Sequence, residues 1–147
     1  MTRTFRSVVA LVLGLLVLPE GVLAQEAGFK VIINASRPAT TIKRPQLSEV
    51  FLKKVTRWGD GVTIDPVDLS TKSPVRASFS KEGLGQSVDA VVNYWGKQIL
   101  GRGERPPLVK ANDEEVIAFV SSLPGAIGYV SPGATLPDKV KVLKVTD

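Results

Sequence analysis

Runs with the period of a strand alternate along this chain with runs that have the period of a helix, and that alternation limits the folds open to it. Phe29 to Asn34 (FKVIIN) is short, apolar and rich in β-branched residues, the composition of a buried strand. In RPQLSEVFLKKVTRW, Pro45 suits a first helical turn, and Leu47, Val50, Phe51 and Val55 share one face at spacings of three and four. Gly59-Asp60-Gly61 is a turn, and Val62 to Val67 reads as a strand with Pro66 near its end. Ser73 as N-cap and Pro74 as first helical residue open a second helix with Val75, Phe79 and Leu84 on its apolar side; Gly83 and Gly85 end it. Ser87 caps a third, in which Val88, Val91, Val92, Trp95 and Ile99 keep a helical period and are expected to be its buried face. Gly101 to Pro107 is a loop. Asn112-Asp113-Glu114-Glu115 is the capping-box start of a fourth helix, with Val116, Ile117, Val120 and Leu123 as its buried side and Pro124-Gly125 as its stop. Ala126 to Val130 is a short strand, and Lys139 to Val145 alternates like an edge strand. Strands separated by helices specify an α/β domain, a small mixed sheet with helices on both faces.

The first residues stand outside that pattern. Arg3 and Arg6 precede an apolar run from Val8 to Leu18, then come Pro19 and Gly21, and Val22-Leu23-Ala24 carries the small or β-branched residues of a cleavage site. This is the layout of a secretory signal peptide, residues 1–24, with the mature domain over 25–147. The alternative, an uncleaved anchor, meets an apolar run shorter than the roughly 20 residues a spanning helix needs. The expectation is a periplasmic protein with no stable membrane insertion after cleavage. The formal charge of +5 becomes +4 once Arg3, Arg6 and Glu20 are removed, and the basic residues are scattered rather than gathered into a stripe. That spread speaks for an anionic setting only weakly and against nucleic acid. The chain has no Cys and no His, which removes disulfides, thiolate and histidine zinc ligands, and Ser–His catalysis. No nucleophile–base set is visible, so the expectation is a non-enzyme without cofactor or metal.

The stretch STKSPVRASF, Ser70 to Phe79, is the one place where binding chemistry is legible. A hydroxyl-bearing turn that opens a helix either caps the helix or offers its free N–H groups to an anion. Lys72 and Arg76 add charge to the second reading, but Arg76 also reads as a solvated surface residue. Elsewhere the plainer readings prevail. Asp65 and Asp68 read as solvent-facing or turn-capping, Asp113 to Glu115 as a helix start and not a metal site, and Arg102 and Arg105 as part of a solvated loop. Trp58 and Trp95 read as core or rim, Tyr129 as packed on the sheet, and Gly128 as a point of close backbone approach.

Four segments taken in order, LSEVFLKKVTRWGDG, SPVRASF, the helix around AVVNYW, and PGAIGYVS, resemble the phosphate-binding periplasmic proteins that serve ABC transporters. The resemblance covers most of the mature chain and is closest to short, stand-alone members. It implies a single lobe of a type II periplasmic-binding-protein-like fold, where larger members close two lobes on the anion. It also implies a small oxyanion such as phosphate as ligand, and an ABC transporter or other envelope protein as partner. In that family an Arg shortly precedes a Ser-Gly-Thr that opens a helix on the anion. Here Ser73 matches the Ser, Pro74 stands for the Gly and Val75 for the Thr, and no Arg precedes them, the stretch reading Asp68-Leu69-Ser70-Thr71-Lys72. Pro74 removes one N–H donor. The residues expected at an anion are therefore Ser70, Ser73, Val75 and Arg76. Two functions follow: a solute-binding protein for a small oxyanion, or a non-catalytic envelope module that keeps the fold and has lost tight binding.

Overall fold

The computed structural model describes residues 28–147. The expected signal segment lies outside these residues. Five strands form one mixed sheet: β1 (Lys30–Asn34), β3 (Asp65–Leu69), β4 (Leu108–Lys110), β5 (Ala126–Val130) and β6 (Val140–Val142), in the order β4-β3-β5-β1-β6. β3 runs parallel to both β4 and β5, and β1 runs antiparallel to β5 and β6. A small parallel pair joins β2 (Thr41–Lys43) to β7 (Lys144–Thr146). The helices are α1 (Arg44–Phe51), α2 (Pro74–Ser78), α3 (Val88–Arg102) and α4 (Asp113–Ser122). The expected α/β architecture, with helices on both faces of a small mixed sheet, is what the chain adopts.

Consecutive residues of β5 show how the two faces are covered, because side chains alternate along a strand. On one face Gly128 lies under α4, where an added Cβ would come within 2.7 Å of Val67 Cγ1 and 2.8 Å of Val116 Cγ1. On the other, Tyr129 stacks on Phe79 with centroids 3.8 Å apart, and Phe29 and Phe51 pack edge-on against Phe79. Phe79 stands where α2 passes into a π-helical turn, Phe79–Gly83, closed by the Leu84 N–H donating to the Phe79 carbonyl at 3.1 Å. The extra residue in such a turn rotates the following chain.

Several expectations are corrected. The strand read as Val62 to Val67 lies at Asp65–Leu69. The last strand, read as one, breaks at Leu143, which is buried and donates its N–H to the Val31 carbonyl; β6 stays in the main sheet while β7 turns to β2. β2 and β4, three residues each, carry too little pattern to read in sequence. On α3 only Val91 and Trp95 are buried; Val92 is 50% exposed because it points aside from the Val91–Trp95 stripe, and Ile99 is 48% exposed because it continues that stripe beyond the packed half of the helix. Leu123 is 37% exposed because it has already left the helix in an extended conformation.

Close approach at Gly128 makes a test. Gly128→Ala pushes a methyl group against two β-branched side chains and is expected to destabilise the domain by about 1–3 kcal/mol. Urea unfolding of the variant beside the parent protein measures it.

Candidate functional site

In a sheet with parallel strands, the ends from which helices depart are where ligands settle. Here β3 and β5 both end beside one cleft of about 710 Å³, lined by Ser70, Lys72, Ser73, Pro74, Val75, Ala111, Asn112, Asp113, Glu114 and Ser131. The starts of α2 and α4 face it together.

Three of the four residues expected at an anion, Ser70, Ser73 and Val75, line this cleft, all of them half-buried. Ser73 occupies the N-cap position, but its hydroxyl makes no capping hydrogen bond. Its backbone does that work: the carbonyl accepts from the Arg76 N–H at 3.1 Å. Ser70 Oγ accepts from the Lys72 N–H at 3.3 Å, and the Ser70 carbonyl accepts from the Ser73 N–H at 2.9 Å, so Ser70 holds the turn through both its side chain and its main chain.

Arg76 is elsewhere. It is 4% exposed and turns inward, where its guanidinium pairs with the Asp68 carboxylate. Its Nε donates to Ser80 Oγ at 3.2 Å and its Nη1 to the Leu69 carbonyl at 3.4 Å. Asp68, read from sequence as solvent-facing or turn-capping, is 7% exposed. It accepts from the Tyr129 hydroxyl and, at 2.9 Å, from the Leu69 N–H. Burial pushes the Asp68 carboxyl above its usual range, with the Arg76 charge pulling it back. Burial and the neighbouring Asp68 push the Tyr129 hydroxyl far above its own range, so it stays protonated and donates. The sequence signal for this network is faint: one of two acids in a short strand, and Arg76 four residues before Ser80.

The cleft's charge is set by the other helix. Asn112 Oδ1 caps α4 by accepting from the Glu115 N–H at 3.0 Å. Asp113 reaches across to the end of β5, both carboxylate oxygens 3.2 Å from the Ser131 nitrogen. One backbone donor that an anion could use is thus taken by the chain's own carboxylate. With Arg76 neutralised, the lining holds one cation, Lys72, against Asp113 and Glu114. Among the described residues, no group of acidic side chains is placed to hold a metal ion.

Removing one partner of a buried pair leaves the other charged and unpaired. Asp68→Ala is expected to cost about 3–5 kcal/mol, and the double change Asp68→Leu with Arg76→Met less than that, measured by urea unfolding. The pH dependence has a definite sign. A carboxyl whose folded pKa is raised stabilises the fold fully below its ordinary value of 3.8, and that contribution is lost as pH rises through the folded value. The stability of the parent relative to Asp68→Asn is therefore expected to fall as pH rises above 3.8. Paired unfolding curves at stepped pH check this.

No family model matches the chain, and no curated protein does. Solved structures do. A protein of Clostridium perfringens with bound phosphate, assigned as a phosphate ABC transporter substrate-binding protein, superposes with a TM-score of 0.65 at 19% identity, over 80% of this chain and 44% of its own. An ABC-type phosphate transport receptor of Vibrio cholerae gives 0.60 at 18%, over 80% and 46%. PstS of Borrelia burgdorferi gives 0.61 at 15%, over 82% and 47%. The chain spans less than half the length of each, the share that a single lobe would take. At these identities the likeness is one of fold alone: this chain shares the fold of part of each of these three structures.

Proposed function

We propose that this chain is an exported, non-catalytic module of the solute-binding type, which takes a small oxyanion such as phosphate weakly and works in the envelope beside an ABC transporter or another protein. The observation that carries this reading is the cleft at the ends of β3 and β5. Its place and its Ser70, Lys72, Ser73 and Val75 lining suit an oxyanion, while Asp113 and Glu114 oppose one. A divalent anion there meets one cation and two carboxylates. Arg76, the guanidinium that could have tipped the balance, is committed to Asp68. The cleft is also open to water, where each charged contact is worth far less than in a closed, dry site. The solute-binding part of the proposal draws on the fold shared with phosphate-binding proteins; weak binding draws on the charge count.

Calorimetric titration with phosphate and with sulfate at low salt tests it. The expected dissociation constant is about millimolar or weaker, against the micromolar or tighter value that a dedicated receptor lobe would give. Glu114→Gln removes one opposing charge from an exposed position and is expected to strengthen binding severalfold. A micromolar constant for the parent protein, or no heat with either anion at any concentration up to tens of millimolar, counts against the proposal.

A further inference from the structure

The far half of α3 has little behind it. The buried residues of this fifteen-residue helix, Val91 and Trp95, both lie in its first eight positions, and the Tyr94 hydroxyl ties that half to the Leu52 carbonyl at 3.0 Å. From Gly96 to Arg102 no residue is buried. Ile99 is 48% exposed, and Leu100, at 90%, is almost entirely in solvent. Gly103, at φ 64°, then closes the helix with its N–H on the Ile99 carbonyl. A single exposed leucine on a globular surface needs no explanation. Two adjacent large aliphatic side chains on the unpacked end of a helix are a different matter.

Their neighbours are cations. Lys97 stands three residues before Leu100, Arg102 three after Ile99, and Arg105 in the loop beyond, with Glu104 the one acid from Lys97 to Arg105. Residues three apart on a helix are neighbours on its surface. None of Lys97, Arg102 and Arg105 is in an ion pair among the described residues. The result is a protruding aliphatic pair fringed by three cations and one acid, a local excess of positive charge.

We propose that this end of α3, with Ile99 and Leu100 as the entering residues and Lys97, Arg102 and Arg105 as the fringe, docks peripherally on a bilayer carrying anionic phospholipid. Aliphatic tips gain by entering the boundary of the acyl chains, and Lys and Arg keep their charges at the phosphate level through flexible stems. Anionic headgroups supply the opposite charge that the domain itself does not. A second copy of the chain is a poorer occupant, because the same cations would gather from both sides. A protein partner ordinarily engages roughly 20–30 residues on each side, whereas this feature is a tip. The contact is with the surface, since no helix among the described residues is long and apolar enough to cross a membrane. It is independent of any anion in the cleft.

Vesicle flotation with the full chain tests it, using vesicles of phosphatidylglycerol with phosphatidylethanolamine and, separately, of phosphatidylcholine alone. Binding to the first and little to the second is expected, falling steeply as salt is raised. Leu100→Ser is expected to lower partitioning roughly tenfold or more, with an unchanged melting temperature because the side chain touches almost nothing. Any contribution from residues 1–27 is common to both proteins, so their difference reads the end of α3 alone. Absence of binding to the anionic vesicles overturns the proposal, as does equal binding by parent and variant. So does concentration-dependent self-association that Leu100→Ser abolishes without vesicle binding, which would assign the tip to a second copy.

Discussion

The buried pair between Asp68 and Arg76 is the constraint around which one side of the sheet is arranged. It joins the end of β3 to α2, and through the Tyr129 hydroxyl it reaches β5. Two charges out of water are tolerated only where geometry and further hydrogen bonds compensate their lost hydration. The compensation comes from Ser80, the Leu69 main chain and Tyr129. The π-helical turn carries both contacts of this side. Its adjacent residues Phe79 and Ser80 lie on the Tyr129 ring and against Arg76 respectively.

That arrangement bears on function because it occupies the residue best suited to hold an anion. The fold brings a cleft and two helix starts to the customary place, yet the charges there come from the chain itself. Asp113 satisfies the Ser131 amide much as a bound anion would, and the Arg76 charge is paired with Asp68. Fold and ligand chemistry are separable in this way because a fold is fixed by packing, whereas an ion site turns on a few charges. The likeness in fold therefore sets no strength of binding, which rests on the charges of the cleft.

Much of the architecture could be read from residue patterns. FKVIIN and AIGYV declared themselves by β-branching, α4 by its capping box, and Gly128 by its place in a strand. Ser70, Ser73 and Val75 could be brought to one cleft because a cap and a first-turn proline mark where a helix begins. Arg76 could not be placed, since a lone arginine on a five-residue helix has no period to show its direction, and its partner is fixed only by tertiary packing. Val92 and Ile99 misled for the opposite reason. Their spacing is helical, but periodicity tells which residues share a face and not whether anything lies against it. The short β2 and β4 are defined by their neighbours rather than by themselves.

The pairing of β1 has a consequence for how the chain comes together. Both of its partners, β5 and β6, lie near the other end of the sequence, with Lys30 opposite Val130 and Asn34 opposite Val140. A strand formed among the first described residues thus waits for contacts about a hundred residues away. Closing so long a loop precedes any gain from the contact, and domains rich in such pairings fold slowly. Until Val140 to Val142 arrive, β1 offers an open edge of Val31, Ile32 and Ile33. Residues Val140 to Val142 are therefore what convert the apolar centre of β1 from a hazard in the unfinished molecule into the interior of the finished one.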